Sequence, residues 1–402
     1  MVRWRFWAVA FAFLVVMMFA TLPSPLYGLY RTRDHLSAFT ITVVFAIFAV
    51  GTIITLLLEG RVAGRFGRRG AMLGGVATMM VAAGLLAVWK DLPGLLIGRL
   101  LTGVAIGLAA GVAIAYLIEL RLRADPNASP AGARNIGTAV NVGALGIGPL
   151  VAGCLAQWAP YPLTLPYLLM VALGAVALVG VAAAPETGTP VPRAATPSRP
   201  AGPARRVRLP VPAAAETIAA FAASGLFAAL SGLILATTLH QTSHALAGAA
   251  LFVVFTAGVV SQLATNRLRS SRVLALGTFS MIAGLVLLVV AVRLSRPSLA
   301  LFLIGGALIG AGAVYKGTTG IVLEATAPEN RVAMTSALVI AVFVGLSVPV
   351  IGAGIALDQG ASVPNTVLGF AILVALGVSV SGWALLGRRP AGAQHAAEPV
   401  SR

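Results

Sequence analysis

The sequence predicts an all-α membrane protein: twelve transmembrane helices in two pseudo-symmetric bundles of six. Three observations predict it. The composition is too apolar for water, twelve apolar runs have spanning length, and positive charge gathers on alternate connections. Of 402 residues, 59% are hydrophobic and only 10% charged, with mean hydropathy +0.97. Soluble domains carry about 25% charged residues. A water-soluble globule of this size has no means of burying so much apolar surface, so lipid is the expected solvent.

Runs of 18 or more mostly apolar residues cross a hydrocarbon core of about 30 Å. In the first half they cover 5–29, 38–59, 70–89, 92–118, 135–158 and 163–184. In the second they cover 213–239, 246–266, 272–292, 298–323, 332–357 and 364–386. The runs are continuous, which favours helices over the short alternating strands of a barrel. Between the halves, residues 185–212 are rich in Pro and Arg and read as an exposed linker. The expected domains are therefore 1–184, the linker 185–212, 213–386 and a polar tail 387–402. Arg3 and Arg5 precede the first run as in a signal peptide, but no small-residue cleavage site follows, so an uncleaved first helix is expected.

The formal net charge of +17 would suit nucleic acid. Yet the arginines sit in small clusters between apolar runs, with no basic face interleaved with aromatics, and no nucleic-acid partner is expected. With the N-terminus in the cytoplasm, 21 of the 28 Lys and Arg face inward and five outward, and Arg99 and Lys316 lie within spans. That bias follows the positive-inside rule. It predicts both termini and the linker in the cytoplasm, and the Ala, Gly and Arg bias of the composition, which suggests a bacterial source, predicts a plasma membrane.

Run 5 and run 11 carry Pro149 and Pro349 at matching places, and Glu119 and Glu324 end runs 4 and 10. The halves read as copies of one unit, a known transporter plan. The loop Gly60-Arg61-Val62-Ala63-Gly64-Arg65-Phe66-Gly67-Arg68-Arg69 then resembles a motif of the major facilitator superfamily, Gly-x-x-x-Asp-Arg-x-Gly-Arg-Arg, with Gly64 at the Asp position. Arg99-Leu100-Leu101-Thr102-Gly103 is similar to its Arg-x-x-Gln-Gly. Gly148-Pro149-Leu150-Val151-Ala152-Gly153 is similar to its Gly-Pro-x-x-Gly-Gly exporter motif. The resemblance implies an alternating-access secondary transporter and a cytoplasmic gate built from Gly60, Arg61, Arg65, Gly67, Arg68, Arg69, Glu119 and Glu324. Glu59 or Glu119 is the expected stand-in for the missing Asp. Gly148, Pro149 and Gly153 imply export, with protons as candidate exchange partner.

Charge inside a membrane is costly and marks function or snorkelling. Arg99 and Lys316 are therefore candidates for substrate or coupling contact, together with Tyr27, Tyr116, Asn141 and Tyr315. All eleven carboxylates fall at run ends or in loops, so a neutral or anionic organic substrate is expected. Pro23 and Pro25 interrupt the first run and free carbonyls there. His240 and His244 have i, i+4 spacing but no third ligand nearby, and read as loop residues. Cys154 is the only cysteine. No metal, no cofactor and no enzymatic activity are expected. The partners are the bilayer and a small-molecule substrate, and a monomer is expected. An importer or uniporter of the same fold is the alternative, with a non-transporting receptor or scaffold behind it.

Overall fold

The computed structural model describes residues 3–187, 208–294, 296, 298–310 and 313–387; of 3, 59–65 and 332 it describes the backbone alone. Twelve helices are long and apolar enough to cross a membrane. They are α1 (Trp4–Asp34), α2 (Ala38–Leu58), α3 (Phe66–Val88), α4 (Leu92–Ala124), α5 (Pro130–Trp158) and α6 (Leu165–Ala182). The second half adds α7 (Val211–Thr237), α8 (His244–Ala264), α9 (Ser270–Arg293), α10 (Leu299–Glu324), α11 (Pro328–Asp358) and α12 (Val363–Leu386). The described residues contain no strand. The tail from 388 and residues 188–207 of the expected linker lie outside the described residues.

Local chemistry sets the helix ends. Ser37, Ser129, Ser243 and Ser362 cap the N-termini of α2, α5, α8 and α12 by accepting from the backbone N–H of Thr40, Ala131, Leu246 and Asn365. Pro130 and Pro364 stand in the first turns of α5 and α12, where a missing N–H costs nothing. Pro23 and Pro25 do break α1, leaving a 3₁₀ turn at Ser24–Leu26 before the helix resumes at Tyr27. Between α2 and α3, where the sequence reads as a loop, the chain is largely helical. The backbone stays helical through Gly60, and only Gly67 leaves it, at φ 71 and ψ −179.

The end of the molecule at which α1 starts is here called proximal, the opposite end distal. Helices α1–α6 pack among themselves and α7–α12 among themselves; α5 against α8 and α2 against α11 join the halves. Close backbone approach depends on missing Cβ atoms. A Cβ on Gly103 of α4 would overlap the Phe48 carbonyl oxygen of α2, and one on Gly148 of α5 the Met18 carbonyl oxygen of α1. Pro149 and Pro349 both sit inside their helices, as the repeat requires.

Overpacking a tight site costs about 1–3 kcal/mol. Gly103→Ala should therefore lower the melting temperature in detergent, whereas Gly84→Ala, with open space around it, should leave it unchanged. Equal melting temperatures would show that α2 and α4 are not held this closely.

Candidate functional site

At the proximal end of the first half, the motif arginines enter a network with two carboxylates. Arg68 Nε pairs with Glu119 Oε2 of α4 at 2.8 Å. Of the two carboxylates expected to stand in for an Asp at Gly64, Glu119 is thus paired with a motif arginine, and the side chain of Glu59 lies outside the described residues. The second carboxylate, Glu186, comes from just beyond α6. Its Oε1 and Oε2 accept the backbone N–H groups of Arg68 and Arg69 at 2.9 and 3.0 Å. These N–H groups open α3, so the carboxylate occupies the positive end of that helix. Gly67 makes room for it: a Cβ there would stand 2.5 Å from Glu186 Oε2, and φ 71 already disfavours one.

The rest of the network ties the segment after α6 to the same place. Arg69 donates to the Ala182 carbonyl, and Arg123 to that of Glu186 at 2.8 Å. Tyr116 donates to Pro185 O at 2.8 Å, and Thr187 Oγ1 to Glu119 Oε2 at 2.6 Å. Pro185, Glu186 and Thr187, read from sequence as the head of an exposed linker, are therefore docked on the first half. Tyr116, read as a polar handle for substrate, is used up by that docking. Arg61 and Arg65 belong to the stretch whose side chains are not described. Glu324, at the corresponding place of the second half, accepts from Ser270 Oγ at 2.6 Å.

The two cations within spans serve the packing. Arg99 is 1% exposed. It donates to the carbonyls of Ala20, Phe45 and Val44 at 2.7, 3.2 and 3.4 Å, and its guanidinium lies 4.7 Å from the Phe48 ring centroid. Ala20 precedes the break in α1, where carbonyls lose helical partners, so Arg99 joins α1, α2 and α4. Lys316 Nζ donates to Gln262 O at 2.6 Å, Asn266 Oδ1 at 2.8 Å and Thr265 Oγ1 at 3.2 Å. It caps the C-terminus of α8, where a cation is favoured. Neither is a free charge awaiting substrate.

The halves meet tightly over the middle and the distal end. Gly153 of α5 abuts the His244 carbonyl, and Gly248 of α8 abuts that of Pro149. His244 N–H donates to Gln157 Oε1 at 2.9 Å, and its ring bonds to the Pro25 carbonyl in the break of α1. His244 thus starts α8 at the seam, where sequence reading had placed a plain loop residue. On the other side of the molecule Ala38 N–H donates to Asp358 Oδ1 at 3.0 Å, and Ser347 Oγ to Ala46 O at 3.4 Å. The deepest aromatic contact is Phe48 with Phe343, with ring centroids 6.0 Å apart. Proximal to it Val50, Ile54 and Leu57 of α2 are exposed, as are Val260 and Leu263 on α8.

Asn141 lies on α5 beside Val142 and Gly143, which approach Gly258 and Val259 of α8 where that seam ends. It is half-buried. Tyr315 is half-buried too, and packs edge-on against Phe221 at 5.4 Å. Tyr27 is buried at the α1 break, and its hydroxyl and that of Ser24 have no partner. These three candidates remain available to a ligand or water. A shallow apolar pocket near Leu226, Leu230 and Val363 exposes no polar surface and is too small for a substrate. Sequence reading put Glu216 at a run end; it is completely buried, because α7 starts ahead of it and α9 and α12 close over it.

A family model described as Major Facilitator Superfamily matches residues 9–234. No curated protein matches the sequence. Among solved structures, the fold is similar to the nucleoside transporter NupG, with TM-score 0.71 and 12% identity over 96% of this chain and 100% of that one. It is also similar to the inward open conformation of the xylose transporter XylE from E. coli, with TM-score 0.68 and 14% identity over 95% of this chain and 96% of that one.

Removing one carboxylate of the proximal network strands buried donors, which costs about 1–3 kcal/mol. Glu186→Ala should lower the melting temperature and speed proteolysis after α6. In a double-mutant cycle, Arg68→Ala and Glu119→Ala should be non-additive by about 0.5–3 kcal/mol. Additive losses would mean that the 2.8 Å pair contributes nothing of its own.

Proposed function

The chain belongs to the major facilitator superfamily, and on that premise we propose that it is a secondary active transporter of a small organic molecule, working by alternating access. The observation that carries the reading is the pair of seams, α5 on α8 and α2 on α11, along which two six-helix bundles meet, with hydrogen bonds between them over the middle and the distal end. In such a transporter the two bundles rock about a central site. The seams of α5 with α8 and of α2 with α11 are the surfaces on which they would roll. Gly153 and Gly248 allow the backbones to touch there without interlocking side chains.

The units of this motion are residues 1–184 and 213–386, joined by 185–212, with 387–402 as a tail. The bias of positive charge supports a cytoplasmic proximal end, with both termini and the linker on that side of a plasma membrane. The protein works as a monomer. The substrate contacts are Asn141, Tyr315 and Tyr27. Arg99 acts on the site through Phe48, which it holds against Phe343. The proximal network of Arg68, Glu119 and Glu186 keeps the cytoplasmic ends of α3, α4 and α6 rigid as the halves move.

Export in exchange for protons is supported by the Gly148-Pro149 and Gly153 pattern of α5. A neutral or anionic substrate is supported by the absence, among the described residues, of any carboxylate on α5 or α8 or in the described spans of α2. Import is the second reading. It is favoured by the similarity to transporters of nucleosides and xylose, both uncharged molecules.

Cells making the protein should accumulate less of some member of a panel of neutral and anionic fluorescent compounds, and a protonophore should abolish the difference. Higher accumulation would support import. No difference for any compound, in cells or in proteoliposomes, would count against transport. Gly153→Leu should cut the rate by about tenfold or more while the protein stays folded, because a clash of about 1–3 kcal/mol in one of two states shifts their ratio by that order.

A further inference from the structure

Glu216 sits on α7 about a turn and a half from Val211, with none of its surface exposed. Its carboxyl bridges two other helices. Thr278 of α9 donates to Oε1 at 3.3 Å, and Oε2 is hydrogen-bonded to Ser381 of α12. Ser381 Oγ also stands 2.5 Å from the Gly377 carbonyl oxygen, one turn back on α12.

The hydrogens at this point can be counted. Ser381 has a single hydroxyl hydrogen and two oxygen neighbours. The Gly377 carbonyl can only accept, so a hydrogen donated there leaves Oε2 bonded to Ser381 only if Oε2 carries its own. A carboxylate would instead be a bare charge in a fully buried place, which costs several kcal/mol without a counter-charge. None is at hand. The ionisable groups on the helices packed against α7 are Arg272 and Arg293 on α9, Tyr315, Lys316 and Glu324 on α10, and Glu329, Arg331 and Asp358 on α11; the described part of α12 has none. Of α1 only the part from Ser24 on packs against α7; its ionisable groups, Tyr27 to Asp34, and His244 of α8 lie at the distal end, and α2 brings none. None of these groups bonds to Glu216, and Lys316 is committed to α8.

We infer that Glu216 is a proton-binding site of the second half: a neutral carboxylic acid that donates from Oε2 to Ser381, accepts from Thr278, and so fastens α7 to α9 and α12 near the proximal end. Only an O–H bond forms or breaks, and water at that end supplies or takes up the proton. Loss of the proton strands a charge among three helices, so they must part or admit water. Carboxyl, hydroxyl and carbonyl oxygens also suit sodium. However, Ser381 is within hydrogen-bonding distance of both Oε2 and Gly377 O, which leaves no room for an ion between them. The inference holds whichever way substrate moves.

Infrared spectroscopy of the purified full chain tests it directly. At neutral pH the wild type should show the carbonyl stretch of a buried protonated carboxyl. Glu216→Gln should remove it, and Glu329→Gln at an exposed site should not. The wild-type melting temperature should fall as pH rises from the ordinary glutamate range, about 4, through neutrality, and Glu216→Gln should flatten that fall, since stability drops with pH where the folded state holds the extra proton. If Glu216→Gln does not fold, Ser381→Ala decides, because loss of the hydrogen-bond acceptor should shift the band. No band in the wild type, a band indifferent to these changes, or stabilisation by sodium rather than by protons would overturn the inference.

Discussion

Between helices in lipid there is no hydrophobic drive, because acyl chains are as apolar as leucine; association rests on close packing and on polar groups that find partners. The rest of this structure depends on that constraint. Backbones touch where side chains are missing, at Gly103 on Phe48, at Gly148 on Met18 and at Gly248 on Pro149. The first two contacts bind helices within one half. The third lies between halves, where a smooth contact can also be left. One device thus gives both rigid bundles and a seam that can open.

The same constraint governs the charges. Arg99 has no carboxylate partner and is satisfied by three carbonyls, one of them at the break that Pro23 and Pro25 impose on α1. Lys316 is satisfied by the end of α8. Glu186 meets the start of α3, and only a glycine at 67 leaves space for it. In each case a helix terminus or a helix break supplies the partner, since those are the places where backbone groups are unspent. Arg99 then links the interior of one half to the contact between halves through Phe48 and Phe343.

Much of this was legible in the sequence. Hydropathy gave the number of spans because a bilayer fixes their length, and the paired prolines gave the repeat because both stand inside their helices at matching places. Glu119 was legible as the partner of the motif arginines. Glu186 was not, because a carboxylate after a Pro in a polar stretch looks like linker, and only the fold brings it 118 residues back to Arg68. The roles of Arg99 and Lys316 were hidden for a related reason: hydropathy tells depth, not which side of a helix faces a neighbour. Glu216 read only as a run-end residue, whereas burial there comes from α9 and α12, which follow much later in the chain.

The central claim is that the two seams open and close at opposite ends. Spin labels in a Cys154→Ser background, at Trp158 and Gln241 across the distal end and at Asn127 and Arg267 across the proximal end, measure it by electron–electron resonance. The account predicts two populations whose weights move in opposite directions at the two ends when pH or substrate is changed. Single, unchanging distances at both ends would contradict it.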